Sequence, residues 1–481
     1  MKVALLVPTT VQRVRTGVGR VLRPITVRHI KIGPLLIASA LERDGHKVQV
    51  IDAEARELGE RGLLRELSSF NPDLLGIHAN LMSFRYASKS AQVIKRVRPQ
   101  LPIVIGGPAV TSLPEAVMAH HCFDFGVIGE GERTIEELVG AIGSGAGLED
   151  VSGIVFRDGN EIVRTGPRKL EPNLDALPMP AWHHVNFELY RDVILGKRRF
   201  ANVLCNRGCP YHCVFCDPKG KLGHAPRLRS VESIVNELAY LKGRFGVQSI
   251  YFNDDTFTLN RAQILALCER LLLDNVSVQW SCRTRVNLVD YELLSAMKKA
   301  GCGRIDFGVE SGDDEVLRAL RKEITVEQTR KAFEACKKVG IDTLAFFMVG
   351  GPYETRQTAE RTIRLAWKIA PTFVAAAECR IFPPGTELAR LARKQNLVED
   401  DHWERCIIER LGELAPAFNT PRMSRRLIRS YQARLHLLNL LWPIRHPVEM
   451  MRRRPLANLR MRLRIDMQIL MMALARRRVM I

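Results

Sequence analysis

Apolar runs of strand length alternate with amphipathic segments of helix length along the first 145 residues. The strand-like runs are residues 2–7, 47–52, 73–78, 102–107 and 124–131. Helical patterns lie near residues 34–44, 84–98, 113–121 and 132–142. Because the strands are continuously apolar and separated by helices, the pattern predicts a parallel sheet covered on both faces. We therefore expect residues 1–145 to form a doubly wound α/β domain.

A second alternating stretch covers residues 196–395. Its strand candidates are residues 200–204, 247–253, 277–281, 304–309, 342–349 and 373–381. Helical patterns lie between them, for example at residues 229–243, 260–273, 290–300 and 325–339. Six β/α units in succession predict a partial or complete parallel barrel, which places its chemistry at the carboxyl ends of the strands.

The two remaining segments follow other patterns. Residues 146–195 contain a predicted hairpin at 153–166, which turns at Asp158-Gly159, and a proline-rich crossing at 174–182. We interpret this segment as a linker rather than a domain. Residues 396–481 lose the strand pattern, and their composition predicts short helices with a basic face and an apolar face.

Composition narrows the class of protein. The apolar fraction of 46% over 481 residues is enough for sizeable cores and excludes a wholly disordered chain. No apolar run reaches the length of about 18 residues that a membrane span needs. The chain also opens directly on a strand-like run rather than on a secretory signal, so we expect a cytoplasmic protein.

The net charge of +20 suggests a polyanion, an anionic membrane surface or an acidic substrate as partner. Residues 421–481 contribute 15 arginines against 2 acids, or +13 of that charge. This segment predicts peripheral contact with an anionic membrane face or with a lipid-like substrate. Few aromatic residues accompany the arginines, which disfavours nucleic acid. The alternative is a solvated basic face on helices that pack over the barrel.

Eleven cysteines in a chain expected in a reducing compartment argue against disulfides, and four of them crowd into residues 205–216. Cys209, Cys213 and Cys216 have the spacing C-x3-C-x2-C, in a loop just after the first barrel strand. Three thiolates in such a loop can hold one face of an iron–sulfur cube and leave one iron open. The alternative is a structural zinc site that takes Cys205 as its fourth thiolate.

The segment CPYHCVFC, with Phe215 before the last cysteine, closely resembles the cluster motif of radical S-adenosylmethionine (SAM) enzymes. The resemblance implies a [4Fe–4S] cluster on the three cysteines, with the amino and carboxylate groups of SAM on the open iron. Reduction of the cluster would cleave SAM to methionine and a 5′-deoxyadenosyl radical, which abstracts a hydrogen from the substrate. The electron donor would be a protein such as flavodoxin or ferredoxin.

Later segments resemble the same family in the expected order after successive strands: YFNDDTF at 251–257, FGVESG at 307–312, FMVGGPYET at 347–355 and RIFPPGTEL at 380–388. The SAM-binding residues that this resemblance implies are Asp254, Asp255, Glu310, Ser311, Gly350 and Gly351. The two aspartates have a simpler interpretation as a helix N-cap. Arg285 either pairs with a carboxylate or is a solvated surface residue.

The first 145 residues resemble the cobalamin-binding domain that one large class of these enzymes carries. The candidate contacts follow the fourth and fifth strands: Gly106, Gly107, Gly129, Glu130 and Gly131. A Cβ at Gly107 would be expected to collide with the ligand. The D-x-H-x-x-G motif of many such domains is missing: the loop 7–33 has no aspartate, and His29 has the wrong spacing to Gly33. We therefore assign no lower cobalt ligand, and we interpret His78 as a structural histidine.

Together these features predict a Rossmann-like sheet domain, a (β/α)6 partial TIM barrel and a basic helical region, with [4Fe–4S], SAM and cobalamin as cofactors. The predicted activity is methylation of an unactivated carbon of a small biosynthetic intermediate. Oxidative cyclisation or rearrangement with the same cofactors is the enzymatic alternative. A cobalamin-binding regulator without catalysis is the alternative from another class, and the intact cysteines and Glu310 argue against it.

Overall fold

The structure, a computed structural model, describes residues 1–9, 29–192, 197–217, 223–382, 385–409, 414–418 and 422–445. Several features of the sequence lie outside these residues: most of the loop 7–33, the arginine runs at 452–454 and 476–478, and the apolar stretch 467–475. Among the described residues, no helix is both long and apolar enough to cross a bilayer.

The first domain is built on a seven-stranded sheet in the order β2-β1-β3-β4-β5-β6-β7. Its strands are β1 (Lys2–Val7), β2 (Lys47–Asp52), β3 (Leu74–His78), β4 (Ile103–Gly106), β5 (Phe125–Val127), β6 (Ile154–Asp158) and β7 (Glu161–Arg164). The helices are α1 (Ile32–Arg43), α2 (Glu60–Phe70), α3 (Phe84–Val97), α4 (Pro108–Ser112), α5 (Pro114–Met118) and α6 (Glu132–Ser144). Strands β1 to β5 are parallel, which confirms the predicted α/β fold class.

Both faces of this sheet are buried, which explains why its strands are continuously apolar. Along β1, Val3 and Leu5 enter a hydrophobic core with α1 and α6, whereas Ala4 and Leu6 enter a second core with α2 and α3. The sequence prediction omitted α2. Leu63 and Leu67 are its only fully buried residues, so its apolar pattern is weak.

The hairpin at residues 154–164 is present, but it extends the first sheet instead of lying in a linker. Asp158 pairs with Glu161 across the turn. Strand β6 pairs antiparallel with β5, so that Ile154 lies opposite Val127. This pairing covers the edge of β5 that the parallel strands leave open.

The proline-rich crossing at 174–182 connects the two domains through specific contacts. The backbone N–H of Ala181 donates to the carbonyl of Leu35 in α1 at 3.1 Å. Nε1–H of the fully buried Trp182 donates to Oε1 of Glu237 in the second domain at 2.9 Å. The crossing therefore fixes α1 of the first domain against the barrel.

The second domain is an open barrel of six parallel strands in the order β10-β13-β14-β15-β16-β17, and two short ribbons, β8-β9 and β11-β12, accompany it. The strands are β8 (Arg191–Asp192), β9 (Lys197–Arg198), β10 (Phe200–Val203), β11 (Asn206–Arg207), β12 (Arg227–Leu228), β13 (Ser249–Phe252), β14 (Gln279–Thr284), β15 (Cys302–Glu310), β16 (Asp342–Val349) and β17 (Phe373–Glu378). All six predicted barrel strands are present.

Helices α7 to α12 connect the barrel strands, and α13 to α15 follow the last strand. They are α7 (Val231–Phe245), α8 (Arg261–Leu273), α9 (Tyr291–Lys299), α10 (Asp314–Ala319), α11 (Val326–Val339), α12 (Arg356–Ile369), α13 (Glu387–Lys394), α14 (His402–Ile408) and α15 (Arg425–Arg445). Their limits follow from local chemistry. Thr325 and Gln328 form a capping box at the start of α11, and Gly340 ends that helix in the left-handed conformation.

The described residues after β17 pack on both domains. Trp403 and Phe418 enter the first domain's core with α2 and α3. Helix α15 is 21 residues long, whereas the sequence predicted short helices, and Ile428, Tyr431 and Leu435 bury one of its faces in the barrel core. Nine of the 15 arginines of residues 421–481 lie beyond α15, outside the described part of the chain.

Candidate functional site

The three cysteines of the predicted cluster site lie in one loop between β11 and β12. Cys209, Cys213 and Cys216 are all partly exposed, reduced thiols. The backbone N–H of Cys216 donates to the carbonyl of Cys213 at 3.0 Å, which closes a turn between these two residues. Between them, the N–H of Val214 donates to the carbonyl of Leu320 at 3.1 Å and fixes the loop to the barrel.

Cys205 differs from these three in its environment. It is 1% exposed and packs in the barrel core. Burial and the Asp254 carboxylate raise the pKa of its thiol well above the usual range, which disfavours the thiolate that a metal needs. Burial in the core thus separates Cys205 from the three cysteines of the motif, which are all partly exposed.

Arg285 lies beside the cysteine loop. It is 5% exposed, and its Nη1 lies 3.7 Å from Sγ of Cys213. Its guanidinium lies over the ring of Tyr211 at 3.5 Å, and Nη2 donates to the carbonyl of Lys322. The interpretation as a solvated surface residue is wrong because Arg285 is buried, whereas pairing with a carboxylate stays a prediction. Arg285 supports the cysteine loop.

Glu310 ends β15 with a left-handed backbone (φ 63°), which is uncommon for a residue other than glycine. Its Oε1 lies 2.8 Å from Nζ of Lys322, and both side chains are largely buried. Lys322 Nζ also lies 5.8 Å from the centre of the Phe215 ring in the cysteine loop. A strained carboxylate held beside a cysteine loop is typical of a functional position.

Asp254 supports the start of the cysteine segment. Its Oδ1 accepts the backbone N–H groups of Cys205 at 2.8 Å and Asn206 at 2.5 Å. Burial raises the pKa of this carboxyl to about 7, against the opposing effect of the two N–H donors. The N-cap interpretation of Asp254 is therefore wrong: Asn260 caps α8. The neighbouring Asp255 lines the central cavity described below.

Ser311 and Gly350 are fixed by contacts within the protein. Ser311 is fully buried, with Oγ 3.3 Å from Oγ1 of Thr362. The N–H of Gly350 donates to the buried carboxyl of Glu354. Burial raises the pKa of this carboxyl to about 7, although the backbone N–H groups that it accepts act in the opposite direction. Glu354 was not among the predicted site residues, although it lies only three residues after Gly351.

The predicted glycines divide into two groups according to what a Cβ would meet. At Gly106, Gly129 and Gly351 an added Cβ would have no protein atom closer than 3.8 Å. In contrast, a Cβ would lie 2.8 Å from the carbonyl oxygen of Ala79 at Gly107, 3.0 Å from Ile37 at Gly131 and 2.5 Å from Ile428 at Gly350. The expectation that a Cβ at Gly107 meets the ligand is thus corrected: it meets the protein first.

Glu130 joins the first domain to the barrel. Its carboxylate lies 2.7 Å from Arg227 and 3.1 Å from Arg207, and Glu132 binds Arg207 from the next helix at 2.5 Å. Burial opposes ionisation of Glu130, but the two arginines outweigh it and hold the pKa of the carboxyl below its ordinary value. The structure therefore places Glu130 in a buried ion-pair network between the domains.

A cavity of about 640 Å³ lies between the two domains. From the first domain it is lined by residues 29–33 at the start of α1, by His78 at the end of β3 and by Pro108 just after β4. From the barrel it is lined by inward-facing residues of several strands, including Tyr251, Arg283 and Asp306. The carboxyl ends of the first sheet and the interior of the barrel thus meet in one space, as open α/β sheets and barrels both favour.

Two histidines without an assigned cobalt-binding role line this cavity. His29 lies with its ring 5.8 Å from those of Phe200 and Tyr251. Burial and repulsion from Lys31 lower the pKa of both His29 and His78 to about 4, and Arg283 and Arg304 add to the effect on His29 alone. Both imidazoles are therefore neutral at physiological pH.

Two family models match the chain. The model described as "Radical SAM superfamily" matches residues 203–366, and the one described as "B12 binding domain" matches residues 21–139. An uncharacterized methyltransferase of Pyrococcus horikoshii is 31% identical over 84% of this chain and 86% of its own length. The cytidylyl-2-hydroxyethylphosphonate methyltransferase of Streptomyces wedmorensis is 25% identical over 81% of this chain and 85% of its own.

A third relative has a different activity in its name. The anaerobic magnesium-protoporphyrin IX monomethyl ester cyclase of Rubrivivax gelatinosus is 30% identical over 69% of this chain, and the match spans 60% of the cyclase.

Solved structures share the two-domain fold. The cobalamin-dependent SAM radical enzyme OxsB aligns with a TM-score of 0.75, over 98% of this chain and 71% of its own, at 17% identity. The radical SAM methyltransferase TsrM of Kitasatospora setae aligns with a TM-score of 0.66, over 82% and 75%, at 20% identity.

These matches confirm the family resemblance read from CPYHCVFC and, with it, the family's cofactors: a [4Fe–4S] cluster, SAM and cobalamin. The chain belongs to the radical SAM superfamily and is an enzyme of that superfamily with a B12-binding domain in front of its radical SAM domain.

Proposed function

We propose that this enzyme transfers a methyl group to an unactivated carbon of a small molecule bound in the cavity between its two domains. The observation that carries the proposal is the cavity itself. It brings the strand ends of the B12-binding domain against the interior of the radical SAM barrel. A carbon held there is within reach of groups bound on either side.

Cys209, Cys213 and Cys216 would hold the cluster, and Cys205 would stay in the core. The neighbouring residues keep the loop in place: Asp254 binds the backbone before it, and Arg285 contacts Cys213. When bound, the cluster and SAM supply a 5′-deoxyadenosyl radical, and the corrinoid supplies the methyl group. The protein's own contribution is to position these groups and to exclude water.

Glu310 and Ser311 would bind SAM beside this loop, with Asp255, Gly350 and Gly351 from neighbouring strands. Lys322 orients the Glu310 carboxylate through the contact at 2.8 Å. Because this carboxylate is fixed before SAM arrives, little ordering is needed on binding.

Gly106 and Gly129 would let a corrinoid approach the backbone of the first domain. No protein atom lies within 4 Å of a Cβ built at either position. Gly106 pairs with His78 at the ends of β4 and β3, directly beside the cavity. Gly107, Glu130 and Gly131 would shape the site indirectly, through the contacts with the protein described above.

Relatives of both reaction types exist, and the extent of the match favours methyl transfer. The two methyltransferases match this chain over 85% and 86% of their lengths, against 60% for the cyclase. Oxidative cyclisation is the alternative reaction, and the experiment must distinguish it from methyl transfer.

The test is anaerobic reconstitution with iron, sulfide and hydroxocobalamin, followed by incubation with SAM carrying a deuterated methyl group and candidate substrates. The proposal predicts 5′-deoxyadenosine together with a product that has gained the labelled methyl. A product that has lost hydrogen without gaining the label would replace methyl transfer by cyclisation. A Cys213→Ala variant is the control and should produce neither compound.

We also propose that a one-electron donor protein such as flavodoxin or ferredoxin reduces the cluster, since the cluster must be reduced before SAM is cleaved. A reduced flavodoxin system should support 5′-deoxyadenosine formation in the reconstituted protein. If only a chemical reductant works, this donor class is wrong.

Peripheral contact with an anionic membrane, which would suit a lipid-like substrate, is a further proposal that concerns the residues after α15. Within α15, Arg429 faces Glu378 and Arg434 faces Glu360, so these charges are engaged. Nine further arginines lie in residues 446–481. Each basic group near an anionic bilayer contributes about 1 kcal/mol to the free energy of membrane binding.

Truncation after Arg445 is the appropriate test, because truncation after Thr420 would remove α15 from the barrel core. The full chain should sediment with anionic vesicles and lose this binding on truncation or in high salt. Equal binding to neutral vesicles, or binding to neither, would reject membrane contact.

A further inference from the structure

We infer that the cavity binds an anionic group of the substrate, a carboxylate or a phosphate, through Arg283 of the barrel and Lys31 of the first domain. The inference rests on the proposed function, because it names the chemical class of substrate for the same cavity. Both residues line the space between the domains.

The acidic residues of the cavity wall already have partners. Asp306 accepts Nε–H of Arg304 at 2.7 Å and the hydroxyl of Tyr251 at 3.1 Å. Asp192 accepts the hydroxyl of Ser249 at 3.0 Å. Asp255 also takes part in an interaction. Each of these carboxylates therefore already interacts with a neighbouring group of the protein.

Arg283 and Lys31 are less fully paired. Among the described residues, neither side chain lies within ion-pair distance of a carboxylate, although Arg283 contacts the Tyr251 hydroxyl and is attracted by Asp306 and Asp255 from further away. The guanidinium of Arg283 lies 5.5 Å from the centre of the Phe346 ring, and its side chain is open to the cavity. An anionic ligand would give both cations a direct ion-pair partner.

A third cation of the wall, Arg304, already has partners: its Nε lies 2.7 Å from Asp306 and its Nη1 3.9 Å from Asp192. The anion is therefore expected at Arg283 and Lys31 rather than at Arg304. Lys31, Arg283 and Arg304 all act with burial to lower the pKa of His29, so the three cations lie near the same histidine.

The position of Arg283 relates the anion to the reacting centre. Arg283 lies two residues before Arg285, which contacts Cys213, so the two Cα atoms are about 7 Å apart along the chain. An anion on Arg283 would leave the rest of a small substrate between that point and the cysteine loop. Lys31 would hold the same anion from the other domain.

Two other anions could supply the same chemistry, namely the carboxylate of SAM and the phosphate of the corrinoid's nucleotide tail. The experiment therefore uses anaerobic holoenzyme and three separate measurements: affinity for inorganic phosphate, affinity for SAM, and corrinoid retained after gel filtration. The variants are Arg283→Gln, Arg283→Lys and Lys31→Met. The matched controls are Arg330→Gln and Lys89→Met, which alter surface ion pairs on α11 and α3.

The inference predicts that Arg283→Gln weakens phosphate binding about tenfold and Lys31→Met about threefold, because each removes a charged contact. Arg283→Lys should keep most of the affinity, and both controls should match the parent. SAM affinity and corrinoid content should remain unchanged in all variants.

Phosphate binding that is absent in the parent, or unchanged in Arg283→Gln, would overturn the inference. A parallel loss of SAM affinity or of corrinoid would also overturn it and would assign the residues to that cofactor. The proposed methyl transfer fails by a different result, the absence of labelled product, so the two failures are distinguishable.

Discussion

Lys322 places its ammonium nitrogen 2.8 Å from Oε1 of Glu310, and this contact holds a carboxylate with a left-handed backbone beside the cysteine loop. The pair joins two segments of the barrel that are 12 residues apart: the end of β15 and the turn after α10. It links a predicted SAM-binding residue to a partner that the motif did not contain.

We expect Lys322→Met to weaken SAM binding about tenfold, because the Glu310 carboxylate would lose its fixed orientation and its counter-ion. Lys322→Arg should restore much of the affinity, whereas a residue that acts only through packing would not show this rescue. Titration of reconstituted protein with SAM measures the effect. Lys331→Met, on the exposed face of α11, is the matched control and should bind as the parent does. Equal affinity in Lys322→Met and in the parent would remove Lys322 from the site.

Replacing Cys209, Cys213 or Cys216 by Ala should abolish iron binding and the charge-transfer absorption of the reconstituted protein. Cys205→Ala should keep iron near the parent's level, because its thiol is buried in the core. The loss of a small buried side chain there should cost only about 1 kcal/mol of unfolding free energy. Iron analysis decides between the two groups. Loss of iron in Cys205→Ala at unchanged stability would mean that Cys205 is a ligand.

Gly106→Val should lower corrinoid retention and leave the melting temperature within a few degrees of the parent's, because its side chain enters open space. Gly107→Val is the informative contrast. Its Cβ would lie 2.8 Å from the Ala79 carbonyl oxygen, at a backbone φ of 101°. This strain should destabilise the domain by about 1–3 kcal/mol before any effect on the ligand. Absorbance of bound corrinoid and thermal melting separate the two effects, and full retention in Gly106→Val would contradict the proposed contact.

Glu354 should make the protein less stable as the pH rises. Its pKa of about 7 in the fold exceeds its value of about 4.5 in the unfolded chain, so the folded state holds its proton more tightly. The stabilisation is present at low pH and is lost as the pH rises through the folded pKa. We expect Glu354→Gln, which cannot ionise, to gain stability relative to the parent between pH 5 and pH 8.

Denaturant unfolding of the parent and of Glu354→Gln at the two pH values measures this difference. Glu360→Gln, at an exposed ion pair on α12, is the control and should show no comparable gain. A stability difference between parent and Glu354→Gln that is the same at both pH values would contradict the raised pKa.

The sequence was sufficient for the strands, the barrel and the cysteine loop because each has a local signature. The apolar runs match β1 and β2 residue for residue, and β1 admits few polar residues because it is buried on both faces. The spacing of Cys209, Cys213 and Cys216 likewise depends only on one short loop.

Features that depend on tertiary contacts could not be predicted in the same way. Lys322 reaches Glu310 only because the turn after α10 folds back along β15. The open space at Gly106 and the crowded one at Gly107 have the same local sequence signal, and the positions of Ala79 and His78 separate them. Trp403 enters the first domain's core from a segment that appeared to be a carboxyl-terminal extension.

The central claim is that the B12-binding domain and the cysteine loop face one shared cavity. Electron paramagnetic resonance of the holoenzyme, with cob(II)alamin bound and the cluster reduced, tests it directly. We predict that the reduced cluster broadens the cob(II)alamin signal and speeds its relaxation, and that Cys213→Ala abolishes this effect while corrinoid stays bound. A cob(II)alamin signal that is the same with and without a reduced cluster would contradict the account.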